Sequence, residues 1–416
     1  MRAKIHRGAH EIGGSCVEVE AQGERLVLDI GKPITAGPDE DVPLPAVPGL
    51  AQGGDPSLRG VILSHPHPDH FGLLPQVAES VPVYMGQAAC RILGEAAFFS
   101  PGGLECTPAG LLGHREAFEL GTFRVTPFLN DHSAFDAYSL MIEADGRRLF
   151  YTGDIRAHGR KARVFEEFIQ APPGDIDVLL MEGTNIRADS TAGQGGPSEQ
   201  DVERACVETF RGTQGIVLAM FSPQNVDRLV TIYRATLQSD RDLVVDLYTA
   251  AVAAATGRAT IPQAHWDRVR VYLPRSQKAR VMQSGAFDRT DAVRPARIYP
   301  EELRERRREL VLLFRGSMAR EIEKIGCLEG AHALWSMWPG YLRKQSGQQL
   351  QAWLDRLAIP LHHHHSSGHA YLPDLRRLVD ALAPERVVPI HSFEGDRFSE
   401  FFPRVDRRAD GEWWEV

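Results

Sequence analysis

Residues 65–70 read His-Pro-His-Pro-Asp-His and follow directly on the short apolar run 60–64 (GVILS). Three imidazoles and a carboxylate within six residues suit a borderline-soft divalent ion such as zinc. In an extended chain His65 and His67 point to the same side. Pro66 and Pro68 fix φ and stiffen the loop, and Asp69 and His70 can then face a second ion. His132 (FLNDHSAFD), Asp154 (LFYTGDIRAHG) and His391 (after RVVPI) each follow a predicted strand. All these groups therefore lie at strand C-terminal ends, where loops gather into a site.

The rest of the chain reads as an α/β protein. Residues 15–20 and 25–29 alternate apolar and polar around Gln22-Gly23, a β-hairpin pattern. Further short strands are predicted at 123–128, 138–143, 147–151 and 177–181, so the first 185 residues form a β-rich layered unit. A polar, glycine-rich stretch at 187–198 ends at Ser198, a candidate N-cap. Beyond it helical patterns alternate with apolar strands at 215–220, 242–248 and 309–314. After about 345 the order is helix (349–357), strand (358–362), loop, helix (373–382), strand (386–390).

With 416 residues the chain is long enough for two domains, or one with a large insertion. Its 43% hydrophobic and 25% charged residues exclude a mainly disordered chain. No apolar run approaches the roughly 18 residues of a membrane span. The first residues lack the apolar core of a signal peptide, so a cytoplasmic location and no membrane partner are expected. Cys16, Cys90, Cys106, Cys206 and Cys327 are scattered and form no CxxC, which fits a reducing compartment. Lys and Arg total 47 against 55 Asp and Glu, a net charge of −8, so a nucleic-acid partner would need a local basic groove.

HPHPDH (65–70), His132 and Asp154 resemble the metallo-β-lactamase fold, and Asp29 matches that family's early acidic residue, which braces the metal loop. Glu182 in LLMEGTN, His369 in HSSGHA and His391 in VPIHSF resemble motifs A, B and C of its β-CASP branch, and the nearest likeness is to ribonuclease J-like proteins. The resemblance implies an αββα sandwich formed by 1–195 and 346–416, with an α/β β-CASP insertion at 196–345. It also implies two zinc ions, with manganese as an alternative. His65, His67 and His132 would hold one ion, Asp69, His70 and His391 the other, and Asp154 would bridge. Asp69, His369 and Glu182 are the candidate catalytic groups, His369 as proton donor to the leaving oxygen and Glu182 as the residue that orients it. Ser366, Ser367 and Gly368 form a candidate phosphate cradle.

The expected activity is hydrolysis of RNA phosphodiesters by a hydroxide held between two metals, leaving 5′-phosphate ends, with 5′→3′ trimming favoured. Single-stranded RNA is the expected partner. His391 favours RNA, because the resemblance implies histidine at motif C in RNA-directed members and often an aliphatic residue in DNA-directed ones. Three alternatives stay open: a DNA nuclease of the same branch, a non-catalytic RNA-binding scaffold subunit, and a small-molecule hydrolase. Ribonuclease J proper carries an extra C-terminal domain, whereas this chain ends about 25 residues after His391. Oligomeric state is therefore not carried over, and a homodimer stays open. Arg315 and Ser317 (FRGSM) are candidate phosphate contacts, and Trp335, Trp338 and Tyr341 (WSMWPGY) candidate stacking residues, with core packing as the alternative for each Trp. Arg156, His158, Arg160, Lys161 and Arg163 are read either as lining the substrate path or as a solvated face.

Overall fold

The computed structural model describes all residues except 38, 39, 101, 102 and 106. Cys106 therefore lies outside the described residues. Two compact units are present. The first comprises Met1–Gly94, Leu104–Gly196 and Gly368–Val416; the second comprises Glu95–Gly103 and Pro197–Ser367.

Two sheets form the first unit. One runs in the order Trp413–Glu415, Arg2–Arg7, Cys16–Ala21, Glu24–Leu28, Leu58–Ile62, Val83–Gly86, Gly110–Leu112. The other runs Arg386–Ile390, Val178–Glu182, Arg147–Tyr151, Tyr138–Ala144, Phe123–Leu129, Phe118–Leu120. Ile5, Val17, Leu26 and Ile62 of one sheet pack against Val125, Leu140, Leu149 and Leu180 of the other. Alternate residues of Val178–Glu182 serve opposite faces. Val178 and Leu180 enter this inter-sheet core, while Leu179 and Met181 meet Phe165, Phe168, Leu375 and Leu378 of helices Ala162–Gln170 and Leu372–Leu382. A strand buried on both faces reads as continuously apolar, as this one does. On the outer side of the other sheet, Val27 and Val61 meet Phe71, Ala89 and Leu93. The layers are helix, sheet, sheet, helix, the αββα sandwich expected.

The second unit is built on a sheet whose six strands are all parallel: Val269–Tyr272, Asp242–Asp246, Leu310–Leu313, Val217–Met220, His332–Trp335, Leu361–His363. Helices cover both faces, with Leu243 and Val245 in one core and Val244 in the other. Ser198 caps helix Glu199–Gly212 through a reciprocal capping box with Asp201, as its sequence predicted.

The expected return to the first domain at 346 is corrected. Helix Gln345–Arg356 packs Leu350 and Leu354 into the second unit's core, and Leu361–His363 pairs with His332–Trp335. The second unit thus extends to Ser367 and also takes Glu95–Gly103. Two strands, Arg2–Arg7 and the edge strand Trp413–Glu415, escaped the pattern reading; they pair with each other across almost the whole chain length.

Candidate metal centre

Most groups of the candidate centre sit at or just past the C-terminal end of a strand in the first unit. His65 follows Leu58–Ile62, His132 follows Phe123–Leu129, Asp154 follows Arg147–Tyr151, Glu182 ends its own strand, and His391 follows Arg386–Ile390. Asp69 and His70 lie in the short helix Pro68–Phe71, started by Pro68 at its first position.

The ligand-type atoms fall into three overlapping groups, each within 4.8 Å of one another. His65, His67, His132 and Asp154 make one; Asp69, His70, Asp154 and His391 make the second; Asp154, Glu182, His369 and His391 make the third. Asp154 is common to all. Its Oδ2 lies 3.2 Å from His70 Nε2, 3.5 Å from His65 Nε2 and 3.8 Å from His132 Nε2, and its Oδ1 lies 3.7 Å from His391 Nδ1. His391 Nε2 is 3.2 Å from Asp69 Oδ2, and His132 Nε2 is 3.2 Å from His67 Nδ1.

This donor set fits divalent metal. His65 Nε2, His70 Nε2, His132 Nδ1 and both Asp154 oxygens are buried with no hydrogen-bond partner among the described residues. Buried polar atoms left so are costly unless something else binds them. Burial drives the His65 and His132 imidazolium forms well below the usual histidine range, and that of His67 down to about 4. Three neutral imidazoles thus face one point with lone pairs to give. Burial would raise Asp69 and Asp154, but the histidines around them hold both carboxyls well below the usual range.

A supporting layer fixes these groups, and much of it escaped the sequence reading. Asp29 is fully buried, with Oδ1 accepting from Ser64 N (2.7 Å) and Oδ2 from Ser64 Oγ, His70 Nδ1 and Tyr151 OH (2.7 Å each). It orients the His70 ring and braces the 64–70 loop, as carboxylates behind metal-binding histidines do. Asp29 and His391 both have left-handed backbone (φ 58° and 53°), uncommon outside glycine and concentrated at functional sites. The Thr184 hydroxyl lies 2.8 Å from His391 Nδ1. Neither Tyr151 nor Thr184 carried a sequence signal, because each meets its partner only through strand order.

Glu182 is buried, accepting from Ile155 N and Thr184 N (3.2 and 3.1 Å), and lies 3.2 Å from His369 Nδ1. Asn185 Nδ2 donates to the His369 carbonyl (2.8 Å). Burial alone would depress the His369 imidazolium, but the Glu182 and Asp154 carboxylates outweigh it and raise it to about 9. At Gly368 a Cβ would come within 2.6 Å of Ser133 Oγ, so glycine lets this loop approach the His132 segment.

Ser366, Ser367, Arg315 and Ser317 belong to the second unit. The buried Ser366 hydroxyl donates to Glu199 Oε1 (2.9 Å) and accepts from Arg228 Nη2 (3.0 Å), so it closes an internal network around a buried ion pair. Arg315 Nε donates to Asp246 Oδ2 (2.7 Å), and Ser317 is exposed in the turn Gly316–Met318. Arg156 lines no path and is not solvated. It is fully buried and ion-paired with Asp131 at 3.2 Å, next to His132. His158 stacks on Tyr371, whereas Arg163 is exposed and pairs with Glu167.

Residues 34–216 match the family model described as a beta-lactamase superfamily domain. That stretch is similar to beta-lactamase superfamily domains. The chain is similar to "Ribonuclease J" of Mycobacterium tuberculosis, 26% identical over 265 residues, covering 58% of this chain and 43% of the relative. It is similar to "RNase J-like protein" of Methanocaldococcus jannaschii (24% over 270 residues; 59% and 57%) and to "RNase aCSPSF2" of Saccharolobus solfataricus (25% over 216 residues; 48% and 41%). The matches thus span about half the length of these relatives. The fold as a whole matches the crystal structure of a protein of unknown function from Enterococcus faecalis V583, with TM-score 0.76, 21% identity and 99% of both chains covered. Among the described residues no helix is long and apolar enough to cross a membrane.

Proposed function

We propose that this chain is a metal-dependent ribonuclease of the β-CASP branch, hydrolysing RNA phosphodiesters to leave 5′-phosphate ends. The carrying observation is the convergence of the His65/His67/His132 and Asp69/His70/His391 sets on Asp154, with Glu182 and His369 beside them. Relatives called ribonuclease J support the substrate class. His65, His67 and His132 would hold one divalent ion and Asp69, His70 and His391 a second, with Asp154 shared. Bound there, such ions supply a hydroxide at neutral pH and neutralise phosphate charge.

The chain's own residues do the rest. Asp29 and Thr184 orient His70 and His391. Glu182 faces His369 Nδ1, so the proton to be given sits on Nε2. The two carboxylates keep His369 charged at neutral pH, the state a general acid for a departing 3′-oxygen needs.

The test is purified protein with zinc or manganese on 3′-labelled RNA and DNA of one sequence, the RNA carrying a 5′-monophosphate, 5′-triphosphate or 5′-hydroxyl. Expected is RNA cleavage to 5′-phosphate products with DNA untouched, fastest from the 5′-monophosphate if trimming runs 5′→3′. Equal cleavage of DNA, or no metal-dependent cleavage of either, refutes the reading.

A further inference from the structure

We infer that Trp338 and Tyr341 form a base-stacking platform for single-stranded RNA on the second unit; this rests on the ribonuclease reading. The platform follows the C-terminal end of strand His332–Trp335, and in open α/β sheets ligands gather beyond the carboxyl ends of the strands. Trp335 itself is core: it is 5% exposed, and its Nε1 donates to the Trp338 carbonyl (3.4 Å). That bond anchors the turn Pro339–Arg343, in which Tyr341 N also donates to the Trp338 carbonyl (3.2 Å). The Trp338 and Tyr341 rings meet edge to face, centroids 5.4 Å apart.

Both rings are held and yet open to water. Trp338 is 47% exposed and Tyr341 46%. A Cβ at Gly340 would come within 2.1 Å of the Trp338 ring, so the indole lies directly against glycine backbone, and any larger residue would displace it. A preorganised pair of half-exposed aromatics marks an interaction site rather than leftover core.

Charge decides the partner. The Arg343 guanidinium lies 5.7 Å from the Trp338 centroid and the Lys344 ammonium 5.4 Å from the Tyr341 centroid. No carboxylate occurs between Glu329 and Asp355, in a chain whose net charge is −8. Rings beside cations, in a segment that carries no carboxylate of its own, suit stacked bases with phosphates alongside, whichever base is offered.

The experiment is fluorescence anisotropy of labelled phosphorothioate oligoadenylate with the full chain, alongside sedimentation of the protein alone. Trp338→Ala and Tyr341→Ala should each weaken binding about tenfold, within the range for one lost stacking partner. Trp338→Phe should recover most of the affinity, which a folding defect would not allow. Unchanged affinity in both alanine variants overturns the platform. So does unchanged affinity with lost self-association, which would assign the patch to a second copy of the chain. Hydrolysis of bis(p-nitrophenyl) phosphate by the unaltered protein reports the metal chemistry separately. Weakened RNA binding in the alanine variants supports the platform even where that hydrolysis is absent and the ribonuclease reading falls.

Discussion

Replacing Asp29 by Asn tests how far the centre depends on a residue that touches no metal in the assignment above. The substitution keeps the side-chain shape and exchanges one acceptor oxygen for an NH2 group. Three donors converge on Oδ2 and one on Oδ1. If the amide oxygen keeps the Oδ2 position, the new NH2 faces the Ser64 N–H, and a buried donor is left unsatisfied at about 1–3 kcal/mol. The other three bonds lose charge assistance, roughly another 1–2 kcal/mol together. The expected loss of stability is therefore ~2–5 kcal/mol, read as a lower urea midpoint. With its Nδ1 held by a neutral amide instead of a carboxylate, the His70 ring is less firmly oriented, and metal affinity should fall about 10–100-fold. Competition with a chromophoric chelator measures this. An Asp29→Asn protein with the urea midpoint and zinc affinity of the parent would refute the bracing role.

Four further outcomes follow from the geometry. Asp154→Ala removes the carboxylate common to all three groups, so elemental analysis should find both ions depleted and turnover abolished. His369→Ala should lower kcat about 10²–10⁴-fold with metal content near that of the parent, whereas His391→Ala should lose metal; equal metal content in the two variants would misassign them. Gly31→Ala would put a Cβ 1.8 Å from the Asp69 carbonyl oxygen, so backbone must move. Destabilisation of about 1–3 kcal/mol is expected by urea titration, with a drop in activity on the order of 10²-fold if Asp69 shifts by about 1 Å. Burial would raise the Asp246 carboxyl, but Arg315 and the cap bonds to Thr249 hold it below the usual range. A carboxyl so depressed stabilises fully above its unfolded value near pH ~4, and the contribution fades as pH falls through the folded one. Asp246→Asn should therefore lower the urea midpoint at neutral pH and converge on the parent in acid.

Sequence alone determined whatever depends on near neighbours. HPHPDH is legible because a buried strand, two prolines and alternation over six residues dictate where the rings point. The hairpin at Gln22-Gly23 and the Ser198 cap are local in the same sense. Glu182 and His391 stood out at strand ends and, with His369, through the family resemblance, and the fold brings all three within reach of Asp154.

Tertiary structure decided which of several similar residues does which task. Of two tryptophans three positions apart, one is core and the other exposed. Arg156 sits in a run of cations that reads as a substrate path or a solvated face, yet it is buried and paired with Asp131 of another loop. Ser366 reads as a phosphate ligand, yet Glu199 and Arg228 occupy its hydroxyl. The 346–367 stretch looked like a return to the first domain, but Leu361–His363 found its hydrogen-bonding partner in the second sheet. In each case the deciding partner lies outside the local pattern, and periodicity reports which face a side chain takes but not what the folded chain puts opposite it.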